Sequence, residues 1–293
     1  MVQGKIMKAL SGFYDVMVGD QIYRCKGRGV FRKQKITPLV GDYVDITLEE
    51  DETGTVTDVL PRDHELIRPP VANVDQAIIV TSMIEPEFNP LLLDRFLVLV
   101  EHKQLDALIV LTKDDLIDDE TRKRIDYYRS VYEAIGYDVI QTSQETADLT
   151  EQLKPYLRDK TSVIAGQSGV GKSTLLNRLD DTLNIETNDI SQSLGRGKHT
   201  TRHVELYQLG GGLVADTPGF SALDFDELAL EDLRHCFPDL MAFEEGCKFR
   251  GCYHINEPKC AVKQAVDDGD IAPFRYTHYQ QFYDEINQRK PRY

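Results

Sequence analysis

Gly166-Gln167-Ser168-Gly169-Val170-Gly171-Lys172-Ser173 fits the pattern G-x-x-x-x-G-K-[ST]. Ser162-Val163-Ile164-Ala165 before it reads as a buried strand, and Thr174-Leu175-Leu176-Asn177-Arg178-Leu179 after it reads as a helix. A strand, a glycine-rich loop and a helix, in that order, are the context a phosphate-binding loop needs. Gly166, Gly169 and Gly171 let the backbone wrap an anion with its N–H groups turned inward, toward the helix N-terminus. Lys172 is then placed to reach the β- and γ-phosphates, and the Ser173 hydroxyl to hold Mg²⁺. The candidate nucleotide-binding loop runs from Gly166 through Thr174. A ligand-free strand–helix turn is the alternative, and both flanks argue against it.

Upstream, the apolar run Ala107-Leu108-Ile109-Val110-Leu111 ends in Thr112-Lys113-Asp114-Asp115. A [NT]-K-x-D sequence at the end of a buried strand reads guanine. The Asp115 carboxylate can accept from the ring N–H and the exocyclic amine together, while the Lys113 stem lies along the base. Adenine offers no such donor pair and would leave the carboxylate unpaired. Thr142-Ser143, after a later strand, could touch the base from the other side or be a plain polar turn. Downstream, Leu213-Val214-Ala215-Asp216-Thr217-Pro218-Gly219 is a strand ending in D-x-x-G. Asp216 would hold Mg²⁺ through water and the Gly219 N–H would bond a γ-phosphate. Between the two loops, Gly195-Arg196-Gly197-Lys198-His199-Thr200-Thr201-Arg202 has the composition of a mobile loop, and Thr201 is favoured over Thr200 to complete the Mg²⁺ shell. Phe220 stands where a glutamine would orient the attacking water. Hydrolysis then needs another group, for which His199 is the nearest candidate.

The order is unusual, because the guanine motif precedes both phosphate motifs. A chain that begins at a different strand of the same sheet is physically allowed, since domain termini often lie close together. Around this core, residues 69–222 alternate strand and helix, which predicts an α/β domain with a mostly parallel sheet. Val74–Thr81, Ala107–Thr112, Tyr137–Ile140 and Ser162–Ala165 read as strands. Leu91–Val100 (Pro90 at its start), Thr121–Ile135 and Leu149–Leu157 read as helices.

Residues 1–68 show short β-like runs with glycine turns at roughly ten-residue spacing, which suggests a five-stranded OB-like barrel. Gly12–Val18, Gln21–Cys25, Asp42–Leu48 and Gly54–Leu60 are examples. Arg24, Lys26, Arg28, Arg32, Lys33 and Lys35, with Tyr23 and Phe31 in or beside them, are read as an inter-strand basic loop suited to single-stranded RNA or DNA. A solvated loop is the alternative. Arg68-Pro69-Pro70 is expected to be a stiff connection between domains.

Residues 223–293 contain Cys247-x4-Cys252-x-His254-x5-Cys260, three thiols and an imidazole with the donor set of tetrahedral Zn²⁺. The metal is expected to be structural, and to supply the folding energy of a segment too short for a core of its own. Cys25 and Cys236 read as buried thiols. Tyr276, Tyr279, Tyr283 and Ile286 fall on one face of a final helix, a core pattern.

The whole chain has 293 residues, a formal charge of −15 and five cysteines. That length allows two or three domains. The acidity argues against a protein that coats itself in nucleic acid through bulk charge, though not against local basic patches. No apolar run reaches the ~18 residues of a membrane span, and Met1–Lys5 opens no signal-like apolar core. A cytoplasmic, reduced protein is expected, and no feature demands a dimer, so a monomer is expected.

Taken together, the OB-like barrel, the permuted motif order and the C-x4-C-x-H-x5-C segment resemble the bacterial small-subunit-dependent GTPase A (RsgA-type) family over nearly the whole chain. The resemblance implies a circularly permuted GTPase that binds the small (30S) ribosomal subunit and its 16S rRNA and assists late maturation. It also implies GTP hydrolysis stimulated by that subunit, Zn²⁺ at Cys247, Cys252, His254 and Cys260, and a catalytic histidine that maps onto His199. Thr112 departs from the commoner asparagine. Gly169 stands where potassium-dependent GTPases carry asparagine, so no K⁺ dependence is expected. Two rivals stay open from the residues alone: a P-loop ATPase or small-molecule kinase, against which Asp115 argues, and an RNA-binding zinc protein with a vestigial nucleotide site, against which Lys172, Ser173 and Asp216 argue.

Overall fold

The computed structural model describes residues 1–29, 31, 36–49, 53–67, 70–180, 183, 204–216 and 223–289. Its strands begin with β1 (Val2–Leu10), β2 (Phe13–Val18), β3 (Gln21–Gly27), β4 (Tyr43–Leu48), β5 (Thr53–Val59), β6 (Glu65–Ile67), β7 (Pro70–Ala72) and β8 (Gln76–Ser82). Then come helix α1 (Pro90–His102), β9 (Asp106–Thr112), a 3-10 turn (Asp114–Leu116), α2 (Asp119–Ile135), β10 (Asp138–Gln141), α3 (Leu149–Leu157), β11 (Thr161–Ala165) and α4 (Lys172–Leu179). After β12 (Glu205–Leu209) and β13 (Gly212–Asp216), the chain ends in a 3-10 turn (Leu233–Cys236), α5 (Pro238–Glu244), α6 (Ala261–Asp268) and α7 (Pro273–Asn287). Two compact units emerge, one from residues 1–80 and 145–222, the other from 81–144 and 223–293.

In the first unit, β1 pairs antiparallel with both β2 and β4, β2 with β3, and β4 with β5, while β3 and β5 run parallel. The order β1-β2-β3-β5-β4 therefore closes on β1, as in an OB-type barrel. Period-two alternation turns Ile6, Val16, Cys25, Val44, Ile46 and Val56 inward, all fully buried. The sequence pattern did not single out β1, because Lys5 and Lys8 interrupt its apolar face. The structure explains both. The buried Lys5 ammonium donates to Thr161 Oγ1 at 2.6 Å, and Lys8 pairs with Glu205 at 2.7 Å. Burial holds the Lys5 pKa below its ordinary value, with Asp75 opposing the shift.

Pro70 is not part of a stiff linker. It opens β7 and pairs with Ile67 of β6 in a hairpin, at a strand's first residue, where a missing N–H is tolerated. Beyond it, the Ala72 N–H donates to Val40 C=O at 2.9 Å and Asn73 Nδ2 to Gly41 C=O at 3.0 Å, tying this stretch to the barrel.

The α/β part of the first unit carries β11 between β8 and β13, parallel to both. The expected parallel sheet is present, and β12, unforeseen in the sequence, adds antiparallel to β13 and touches β1 at Lys8↔Glu205.

In the second unit β9 and β10 pair in parallel. Here the C-terminal residues do have a core. Phe225, Leu228, Leu233, Cys236, Phe237, Leu240, Tyr279, Phe282 and Ile286 form one buried cluster with Val98 of α1. The expectation that metal alone would fold this segment fails because α7 packs Tyr279, Phe282 and Ile286 against Phe225, Phe237 and the Leu233 and Cys236 side chains of the 3-10 turn before α5. Tyr279 and Ile286 are fully in this core, and Tyr276 and Tyr283 pack at its edge. Arg275, also fully buried, donates to Asp94 at 2.5 Å and to both carboxylate oxygens of Asp239 at 3.0 and 2.8 Å. Asp94 also accepts from Tyr132 at 2.8 Å and meets His278 Nδ1 at 2.5 Å. Removing one member of such a buried network costs about 3–5 kcal/mol, because it strands the others.

Candidate nucleotide and metal sites

The phosphate loop follows directly from β11. Gly166 has φ +139°, and a Cβ there would sit 2.1 Å from the Val80 carbonyl oxygen of β8, so only glycine fits. Gly169 and Gly171 have φ +81° and +98°, and Gly171 caps α4. Val170 is buried and anchors the loop, while Gln167, Ser168 and Gly169 are exposed. Lys172 Nζ lies over the loop and donates to the carbonyls of Gly166 at 2.8 Å and Gln167 at 2.7 Å. Ser173 is buried in the first turn of α4, with Thr174 half-buried behind it. The parallel register Val163↔Ala215 sets the backbone of Asp216 level with Ile164, two residues before Gly166. One end of one sheet thus carries the phosphate loop and the start of D-x-x-G. Gly219, His199 and Thr201 lie outside the described residues, as does the Asp216 side chain.

The guanine motif belongs to the second unit. Thr112 is buried, its hydroxyl bonding Thr81 C=O at 3.3 Å and its carbonyl accepting from the Met83 N–H at 3.1 Å. Threonine here fixes the end of β9. Lys113 takes a left-handed conformation, φ +65°, and its ammonium donates to the Glu85 carbonyl. Asp114 is occupied by Arg122, 2.7 Å away, and its N–H donates to Thr142 C=O at 3.3 Å, so the Thr142-Ser143 loop adjoins the motif. Asp115 is exposed, and among the described residues nothing bonds its carboxylate. Of the two acids, the one assigned to the base is the one left available.

The metal-type cluster also lies in the second unit. The ligand atoms of Cys247, Cys252, His254 and Cys260 all fall within 4.8 Å of one another. His254 Nδ1 is 3.5 Å from Cys247 Sγ and 3.4 Å from Cys260 Sγ, and these two sulfurs are 3.8 Å apart. Zn–S and Zn–N bonds of ordinary length would give tetrahedral edges of about 3.8 Å between sulfurs and about 3.5 Å from sulfur to nitrogen. The donor set therefore fits Zn²⁺ in identity and spacing. Burial pushes the Cys252 thiol up to about 12, raises that of Cys260, and lowers the His254 imidazole. The sequence did not reveal the brackets around the loop. Tyr276 donates its hydroxyl to His254 C=O at 2.6 Å and Tyr279 to Tyr253 C=O at 2.7 Å. Glu257 accepts from the N–H groups of Tyr253 and Ile255 at 2.8 and 3.0 Å. Burial raises the Glu257 pKa, and these hydrogen bonds outweigh it, leaving a net lowering. Cys25 and Cys236 are buried thiols as read, raised by burial to about 11 and about 12.

The basic residues of the barrel sit differently from the sequence expectation. Arg24 and Lys26 lie on β3 itself, exposed, with their cationic groups 5.0 and 5.8 Å from the Phe13 ring centroid. Arg28 follows, exposed, just past the strand. Phe31 is buried in the core and offers no stacking face. Arg32, Lys33 and Lys35 lie outside the described residues. Among the described residues, no helix is long and apolar enough to cross a membrane.

Comparison with known proteins gives one answer. Residues 59–226 match the RsgA GTPase family model and residues 3–56 the RsgA N-terminal domain model. A curated Bacillus cytotoxicus protein named small ribosomal subunit biogenesis GTPase RsgA is 58% identical over 100% of both chains. The crystal structure of YloQ, described as a circularly permuted GTPase, superposes with TM-score 0.87 at 50% identity, covering 100% of this chain and 97% of that one. The crystal structure of YjeQ from Thermotoga maritima gives 0.88 at 36% identity over 99% of both chains.

Proposed function

The chain belongs to the RsgA family of circularly permuted GTPases, and from that premise we propose that it hydrolyses GTP to GDP and phosphate as a maturation factor of the small ribosomal subunit. The observation that carries this reading is the full-length similarity to a relative of that name. The residue assignments follow the chemistry. Gly166 through Thr174 wrap the phosphates, Lys172 neutralises the β- and γ-oxygens, and Thr112 to Asp115 select guanine, with Asp115 taking both base donors. Ser173, Thr201 and Asp216 would hold Mg²⁺, which supplies charge neutralisation at the phosphates. Gly219 orders its loop when a γ-phosphate is present, and His199 orients the attacking water. Turnover is slow in the free protein and rises on the 30S subunit in late maturation.

In this reading the chain divides into an RNA-binding barrel (1–68), the GTPase domain (69–222) and a zinc-binding C-terminal domain (223–293). Arg24, Lys26, Arg28, Arg32, Lys33 and Lys35 meet 16S rRNA. Cys247, Cys252, His254 and Cys260 hold one structural Zn²⁺. The protein acts in the cytoplasm as a monomer.

Competition binding tests the nucleotide assignment. GTP and GDP are expected to displace a fluorescent guanine nucleotide while ATP in hundredfold excess does not. Displacement by ATP at equal concentration would overturn it.

A further inference from the structure

Cys247 and Cys260 are the first and last ligands of the metal loop, and the backbone brings them together. The Lys248 N–H donates to Lys259 C=O at 3.3 Å, and a Cβ on Gly246 would stand 2.8 Å from the Ala261 Cβ. Both contacts belong to one antiparallel register, in which Cys247 lies opposite Cys260. Their sulfurs are 3.8 Å apart. Residues opposed in this way stand about 4.5–5.5 Å apart at Cα, inside the span that a disulfide bridges. A disulfide between them would close the same loop that the metal closes. The ligands are not equally sheltered. Cys252, His254 and Cys260 are 2%, 1% and 5% exposed. Cys247 is half-buried, between the exposed Gly246 and Lys248. Oxidation of a thiolate follows its accessibility, so Cys247 is the point of attack and Cys260 the thiolate placed to resolve it.

The loop has supports besides its ligands. The Tyr276 and Tyr279 hydroxyls hold the His254 and Tyr253 carbonyls, and Glu257 holds the N–H groups of Tyr253 and Ile255. Phe225, Phe237, Tyr279 and Phe282 pack into the core behind it. We propose that Cys247 and Cys260 are an oxidation site for hydrogen peroxide, at which a disulfide between them replaces the metal as the clasp of the loop while the C-terminal fold stays closed. This rests on the zinc reading above and adds a regulated state of the same site. The Cys247 thiolate attacks one peroxide oxygen; an S–O bond forms, the O–O bond breaks and hydroxide leaves. The Cys260 thiolate then attacks the sulfenic sulfur; the S–S bond forms, the S–O bond breaks and a second hydroxide leaves. Each sulfur gives up one electron to the peroxide, and two protons from solvent turn the hydroxides into water. Zinc, left with Cys252 and His254 alone, is released. In a reducing compartment such a disulfide is transient, and its reduction restores the ligand set.

The test is a hydrogen peroxide titration of the full-length, zinc-loaded protein. Zinc release is followed with a colorimetric chelator, and the cysteines are mapped by alkylation and mass spectrometry. One zinc is expected to leave per disulfide formed, with the disulfide joining Cys247 to Cys260 and with Cys25, Cys236 and Cys252 recovered as thiols. Dimedone, which traps sulfenic acids, is expected to label Cys247 before Cys252 or Cys260. The helical circular-dichroism signal should stay unchanged, and dithiothreitol with added zinc should restore the metal. Full zinc retention, with all five cysteines still thiols at peroxide levels that oxidise free cysteine, overturns the proposal. So does a first label on Cys252 or Cys260, a disulfide to any other partner, or a helical signal lost together with the zinc. Protein that holds no zinc before peroxide is added overturns instead the metal reading itself.

Discussion

Asp114 and Asp115 are neighbours in the chain and differ in what holds them. Asp114 is taken up by Arg122, while Asp115 is exposed and unbonded among the described residues. A guanine offers two donors, and a carboxylate accepts both; an amide accepts one and donates one. Asp115→Asn should therefore lower GTP affinity by on the order of 10²-fold or more. The same variant should bind xanthosine triphosphate better than GTP, because xanthine replaces the exocyclic amine with a carbonyl. Equilibrium binding of both nucleotides checks this, and unchanged GTP affinity would remove Asp115 from the base site. At this scale the motifs were legible because each is local. The glycine at 166 is demanded by a backbone oxygen of another strand, yet the sequence marks it through the loop pattern. The Asp94–Arg275 pair was illegible, since its partners lie 181 residues apart and neither sits in a motif.

At the scale of elements, strand periodicity carried the barrel only where one face is uniformly apolar. β1 is not marked in the sequence because a buried lysine fits a strand only when a distant residue, here Thr161, accepts from it. A basic run reads as a solvated loop, whereas β3 carries Arg24 and Lys26 and presents both outward beside Phe13. If this face meets single-stranded RNA, the double variant Arg24→Gln/Lys26→Gln should bind rRNA fragments more weakly. The slope of log K against log salt should become shallower by about 1.4. An unchanged slope would assign the strand a purely solvated role.

The metal loop permits a prediction with a definite sign. Cys252 is pushed up to about 12 and Cys260 upward, both by burial, so both thiols are protonated at neutral pH before metal binds. His254 is shifted downward by burial and enters neutral, releasing no proton. Zinc must displace at least the two thiol protons, so apparent affinity rises with pH through the neutral range. Calorimetry in buffers of different ionisation enthalpy should register that release. Zinc binding that is independent of pH would contradict the thiolate ligand set.

For the whole molecule, chain order and compact packing differ. Residues 145–222, which hold the phosphate loop, pack with the barrel, while residues 81–144, which hold the guanine motif, pack with the C-terminal segment. Sequence punctuation suggests three consecutive domains because prolines and composition shifts are local signals, and a core shared between α1 and α7 leaves none. The permuted order itself was legible, since it needs only the positions of Asp115, Gly166 and Asp216 along the chain. The protein is proposed to be a slow GTPase accelerated by a large partner. Its most direct test is multiple-turnover GTP hydrolysis by the full-length protein alone, with purified small ribosomal subunits, and with large subunits at equal concentration. Slow turnover alone, a rise of at least tenfold with small subunits and no rise with large ones are expected; equal rates in all three would rule out a small-subunit-dependent GTPase.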